Sequence, residues 1–300
     1  MAFDIYQKIT DSIIERLKAG DIPWKQPYTL KNGNCAFSHL SKEPYSLLNQ
    51  FLLKRKGEYF TFNQAKKEGM RIRKGAKASQ VVFWKIYSPN DSGAKGLESD
   101  EDCRSHKIPL LKYYNVFHQD DVEGFVPKDE NQFDESRNNE FKEDADEIIS
   151  KYIERDGRLK ILNDSSGIPR YSPSQDVIFT PPKCQFTTLD EYYKTLFHEC
   201  VHSTGHSSRL DRDFGRMFRT VEGRQDYSRE ELVAEIGASY LSNLSGLSEL
   251  AQDNEIAYIQ GWIKALQSDP KWIVWAASRA ESAVRFILND PKKEASEADE

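Results

Sequence analysis

Apolar residues return every four positions over residues 4–19, where Ile5, Ile9, Ile13 and Leu17 make a stripe with Tyr6 and Ile14 beside it. That period predicts an amphipathic helix, which Gly20 and Pro23 stop. A second helix is expected over 45–56, with Leu47, Leu48, Phe51 and Leu52 inward. Residues 59–62, 81–87 and 110–117 are rich in aromatic and β-branched side chains and read as strands, the last two paired with each other. A short helix over 63–68 ends at Gly69. Residues 88–107 are polar and Gly/Ser/Asp-rich, which predicts an exposed loop. Residues 127–141 are acidic and polar and read as a linker. Beyond them Ala145, Ile148, Ile149, Tyr152 and Ile153 form another helical stripe, ended by Gly157. Residues 177–180 form a strand that stops at Pro181 and Pro182. Helices follow at 189–203, from 228 onward, and through 255–288; the charged tail 291–300 is expected to be disordered. The fold class is α+β in two domains, residues 1–126 and 142–290.

The helix at 189–203 carries the most specific chemistry. Thr188 is its expected N-cap, Glu191 the reciprocal partner of a capping box, and Gly205 its stop. Within it His198-Glu199-Cys200-Val201-His202 has the form His-Glu-x-x-His. Two histidines four apart share one helical face and can grip one Zn²⁺, while Glu199 is placed to take a proton from water held there. Mn²⁺ or Co²⁺ could replace zinc on such ligands. Cys200 reads as core filler. The preceding strand at 177–180 is expected at a sheet edge, where an extended peptide could pair with it.

Catalytic zinc ordinarily has three protein ligands and water. A metzincin spacing would put the third histidine at position 208, which is Ser208, so His206 reads instead as a cap, a group behind the ligands, or a polariser of a substrate carbonyl. Tyr227 is a second candidate for that polarising role. Downstream, Ser228 opens a helix on which Glu231 and Glu235 share a face. The pair resembles the gluzincin arrangement, which implies that one carboxylate ligates the metal and the other braces a ligating histidine. That resemblance favours Glu231 as ligand and Glu235 as brace; the swapped assignment stays open.

Net charge is −6 over 300 residues, which alone argues against a nucleic-acid partner, but the charge is uneven. Lys66, Lys67, Arg71, Arg73, Lys74, Lys77 and Lys85 face a single acid, Glu68, between residues 66 and 85. Phe62 and Trp84 flank the run, and Trp24 with Lys25 stands on a Pro-bounded extended segment that could present a stacking ring. A basic track with stackable rings and no recognition helix suits single-stranded DNA better than duplex. The rival reading of the run is a solvated face. The four cysteines have no CxxC spacing, which suits a reducing compartment. No apolar run approaches 18 residues and no signal peptide is expected, so the chain is placed in the cytoplasm without a membrane partner.

Pro23-Trp24, Thr61-Phe62-Asn63-Gln64-Ala65, Val82-Phe83-Trp84, Tyr114-Asn115-Val116-Phe117, residues 198–206 with Arg209-Leu210, and Glu230-Glu231-Leu232-Val233-Ala234-Glu235 together resemble the ArdC family of antirestriction proteins. The resemblance spans nearly the whole chain in one order. It implies a single-stranded-DNA-binding domain, also found fused to plasmid primases, followed by a zincin-like, gluzincin-type metallopeptidase domain. It further implies protection of incoming plasmid or phage DNA from host restriction, with an unidentified protein substrate. Ser203 stands where the family has an aromatic, which puts one subsite in question, and His118 where it often has Asn. The alternative is a purely DNA-binding protein whose zincin half is structural or catalytically vestigial.

Overall fold

A computed structural model describes residues 4–25, 35–87, 108–126, 144–164, 167–212, 221–247 and 255–290. The expected loop at 88–107, the linker at 127–141, the tail at 291–300 and Cys103 lie outside these residues.

The first helix, α1 (Ile5–Lys18), is capped by Asp4, whose carboxylate accepts from the Tyr6 and Gln7 amides, and buries Ile9, Ile13, Ile14 and Leu17. The next helix, α2 (Leu47–Leu52), is shorter than its apolar pattern suggests. The Tyr59 hydroxyl takes the Arg55 amide and carbonyl, so Lys54–Lys56 leave the helix to enter a strand. Gly57 sits at that entry with φ 115°. A Cβ there would lie 2.9 Å from the Gln119 carboxamide oxygen, so only glycine fits.

A four-stranded sheet organises this half. Strands β1 (Ala36–Ser38), β2 (Gly57–Thr61), β4 (Ser79–Tyr87) and β5 (Ile108–His118) lie in the order β1-β2-β5-β4. The expected β4–β5 pairing is present and antiparallel, with Val81 opposite Tyr114 and Trp84 opposite Leu111. Helix α3 (Phe62–Lys67) starts at a reciprocal capping box between Thr61 and Gln64. It leads into β3 (Arg71–Ile72), which pairs with β6 (Val122–Glu123). At the outer edge of β4, the Asn49 carboxamide bonds both the amide and the carbonyl of Val82, closing an edge that would otherwise be unpaired.

The second half opens with α4 (Ala145–Asp156) and a three-stranded sheet of β7 (Lys160–Asn163), β8 (Arg170–Ser172) and β9 (Val177–Thr180). Among the described residues the helices α5 (Leu189–Ser203), α6 (Val221–Leu244), α7 (Glu255–Ser268) and α8 (Trp272–Leu288) follow. The sheet order is β7-β9-β8, so β9 is the central strand. This corrects the expectation of an edge at 177–180. The β9 backbone groups are used by a parallel neighbour on one side and an antiparallel one on the other.

The two halves share one core. Residues of α1 and α2, with Trp24, Val82 and Leu111, belong to the same buried cluster as residues of α4, α5, α6 and α8. Polar contacts cross the same boundary: the Thr10 hydroxyl donates to the Pro270 carbonyl at 2.7 Å, and the Leu47 amide to the Glu281 carboxylate at 3.1 Å.

Trp24 is 1% exposed, on a single 3-10 turn that packs against α6, with its ring edge-on to Phe51 and Trp262. This corrects its placement as a DNA-stacking residue, because a ring enclosed on all sides offers no face to a base. Trp24→Ala is expected to cost about 3–5 kcal/mol of folding free energy. Chemical denaturation of the variant beside the wild type measures the loss; equal stability contradicts the buried placement.

Candidate metal centre

The site is built on α5 and α6. Thr188 caps α5 by accepting from the Glu191 amide at 3.1 Å. The Glu191 carboxylate reaches back to the Thr187 amide, one residue before the expected partner. Leu196, Phe197, Cys200 and Val201 are buried, which orients the helix, and Cys200 serves as core filler. The other end of α5 is held by arginines. Arg209 Nε donates to the Ser203 carbonyl and an Arg212 Nη2 to the Val201 carbonyl, each at 2.7 Å. These bonds satisfy last-turn carbonyls and place cations where the helix dipole is negative. Gly205 follows the cap residue, Thr204, as expected of a helix stop.

Helix α6 crosses α5 at very short range. Gly237 faces Val201, and a Cβ on Gly237 would lie 2.8 Å from a Val201 methyl. This approach brings Glu231 to the two histidines. His198 Nε2 and His202 Nε2 are 3.1 Å apart, and each is 3.4 Å from a Glu231 carboxylate oxygen. Ligands about 2.0–2.1 Å from a tetrahedral ion stand roughly 3.3 Å from one another. The two nitrogens and one oxygen therefore fit the donor set and the size of a divalent metal site. Among the described residues these three make the one such cluster.

Glu230 supplies the brace. Its carboxylate faces His202 Nδ1 at 3.3 Å, while Glu231 faces Nε2 of the same ring. Two consecutive carboxylates thus clamp opposite edges of one imidazole. Glu235 makes no hydrogen bond to either histidine among the described residues, which corrects its assignment as the brace. The physical reason is rotation along α6: Glu230 is about 100° from Glu231 and reaches the far edge of the ring. Glu199 is buried at 7% exposure. His206 lies past the end of α5 and pairs through Nδ1 with the Ser208 hydroxyl at 2.8 Å, outside the ligand cluster. The Tyr227 side chain lies outside the described residues. Ser203 is fully buried and bonds the Tyr152 hydroxyl at 2.9 Å, which places it in the core.

Electrostatics follow from this packing. Burial alone would lower the His202 pKa, but the hydrogen bonds and charges of Glu230 and Glu231 outweigh it and push the group up to about 10. Burial would raise Glu231, yet the two histidines hold its carboxyl well below the usual range. Glu230 is likewise lowered against its burial by His202 and Arg212.

The basic track occupies the opposite half. Lys66 and Lys67 close α3, Arg71 lies on β3, and Arg73, Lys74 and Lys77 follow, all exposed along one continuous segment. Phe62 is 57% and Trp84 50% exposed. Lys25 is half-buried on the turn that carries Trp24. Phe83, Tyr113 and Tyr114 are also exposed, and the sequence reading missed them because a continuous aromatic run resembles a buried strand. It also missed Glu230 as a brace, and Arg212, for which no local pattern exists.

Metal uptake is expected to release a proton. Below the pKa of His202 the metal-free imidazole is protonated, so affinity should rise with pH, by up to about tenfold per unit. Calorimetric titration with Zn²⁺ or Mn²⁺ between pH 6 and 8, in buffers of differing ionisation enthalpy, counts that proton. A pH-independent affinity with no proton released contradicts the assignment.

Residues 3–117 match the family described as the N-terminal domain of anti-restriction factor ArdC, and residues 153–279 match the zincin-like metallopeptidase family. The solved structure of antirestriction ArdC from plasmid R388 is 32% identical, with a TM-score of 0.70 over 96% of this chain and 98% of that one, in metal-free form. Its Mn(II)-bound form matches equally. A DNA primase TraC of Escherichia coli is 29% identical over 97% of this chain, and another is 30% identical over 97%. The chain spans only 28% and 20% of the length of those primases. The uncharacterized protein y4eC of Sinorhizobium fredii (strain NBRC 101917 / NGR234) is 27% identical over 95% of this chain and 91% of that protein. With an N-terminal ArdC domain, a zincin-like domain and the whole-length likeness to R388 ArdC, the chain belongs to the ArdC family of antirestriction proteins.

Proposed function

We propose that the chain binds single-stranded DNA through its N-terminal half and carries a metal-dependent peptidase site in its C-terminal half, and that it protects incoming plasmid or phage DNA from restriction. The observation that carries the peptidase reading is the His198–His202–Glu231 triangle, with edges of 3.1–3.4 Å, built beside Glu199. The manganese-bound relative supports a divalent ion at such a site, and zinc is the ion its ligand types favour.

His198, His202 and Glu231 would hold a divalent ion, which when bound would act as a Lewis acid and lower the pKa of a water. Glu199 accepts the proton from the attacking water and delivers it to the leaving amide nitrogen as the C–N bond breaks. Glu230 holds the Nδ1 edge of His202, so that Nε2 faces the cluster. Strand β8 is an end strand of its sheet among the described residues and lies against α5. It takes the substrate-aligning role that the central β9 cannot fill. The exposed basic segment 66–77 with Phe62 and Trp84 provides phosphate contacts and stacking faces for the DNA strand. No helix among the described residues is long and apolar enough to cross a membrane.

Glu199→Gln separates the two activities, because it leaves all three metal ligands in place. The variant is expected to retain metal and single-strand binding, and to lose peptide cleavage and protection in a recipient cell. Full protection by the variant would mean that DNA binding alone carries the function.

A further inference from the structure

Arg212 belongs to no motif of the sequence, yet its side chain is only 3% exposed. It forks onto Glu230: Nε donates to Oε1 at 3.2 Å and to Oε2 at 2.9 Å, and Nη2 donates to Oε1 at 2.7 Å. Its Nη1 donates to the Thr204 hydroxyl at 2.7 Å, and Nη2 also reaches the Val201 carbonyl at 2.7 Å. Each main anchor is the chain neighbour of a metal-cluster residue, Val201 beside His202 and Glu230 beside Glu231. One guanidinium therefore ties the end of α5 to the start of the ligand-bearing stretch of α6.

We propose that Arg212 is a positioning residue of the metal centre, acting through Glu230 to fix the rotation of the His202 ring and the spacing of the two ligand-bearing helices. This rests on the reading that His198, His202 and Glu231 hold a metal. A pair that only filled the core would need matched charge and nothing more. Here the planar fork uses both Glu230 oxygens, and one of them also faces His202 Nδ1 at 3.3 Å. With Nδ1 fixed, Nε2 has one direction left, toward His198 Nε2 and Glu231. Without Arg212, Glu230 would be a buried carboxylate free to turn toward any donor, and His202 would lose its reference.

The test is a double-mutant cycle on metal affinity, read by equilibrium binding of Mn²⁺ and of Zn²⁺ to full-length protein whose folding is checked by circular dichroism. Arg212→Met and Glu230→Gln are each expected to weaken binding roughly 10–100-fold. Their combination should cost no more than the larger single loss, because both act along one path. Arg212→Lys keeps the charge but not the fork and should recover part of the affinity. Wild-type affinity in folded Arg212→Met, or losses that multiply in the double variant, overturns the proposal. If Arg212→Met alone does not fold, the double variant, which leaves no unpaired charge, takes its place. It should match Glu230→Gln, and wild-type affinity there overturns the proposal too. Absence of metal binding by the wild-type protein would instead sink the metal-site reading.

Discussion

Helices α5 and α6 meet where a Cβ on Gly237 would lie 2.8 Å from a methyl of Val201. Val201 is β-branched, stiff at χ1 and fully buried, so it has little room to give. The ligand cluster depends on this contact. His198 and His202 project from α5 and Glu231 from α6, and nothing in either helix alone brings three donor atoms within 4.8 Å of one another. Close backbone approach sets the distance between the helices. Arg212, bonded to both helices, reinforces that spacing and, through Glu230, holds the His202 ring.

The same helix links the centre to the rest of the molecule. The turn around Trp24 packs on α6, and α1 and α2 pack on α7 and α8. The family boundary between residues 117 and 153 therefore does not divide the core. Ile13, Leu17, Trp24 and Phe51 of the N-terminal domain belong to a buried cluster that continues into the zincin-like half. The exposed basic segment runs through α3 and β3, whose buried Ala65 and half-buried Ile72 belong to a small separate cluster with Phe60 and Val122. Core sharing and an open basic surface thus coexist in one half.

The helix at 189–203 is legible in the sequence because its cap, apolar stripe and metal pattern are all local. So is the β4–β5 pairing, set by two runs of strand-forming residues. What is illegible depends on distant partners. Trp24 sits among prolines and a lysine as a surface aromatic would, and only α6 and Trp262 bury it. The central position of β9 depends on two short flanking strands with weak patterns of their own. Glu231 and Glu235 carry the right spacing for ligand and brace, but the brace is decided by which carboxylate reaches the far edge of His202. Adjacent Glu230 does so because Arg212, 18 residues away, draws it there.

The central claim is that the α5–α6 contact assembles a metal centre from His198, His202 and Glu231. Metal content of purified protein equilibrated with Zn²⁺ or Mn²⁺, measured by mass spectrometry, tests it most directly. The wild type and Glu235→Ala should each hold about one ion per chain, as a three-ligand site requires, and His202→Ala and Glu231→Ala should hold none. Retention of the ion by Glu231→Ala with its loss from Glu235→Ala would contradict the account.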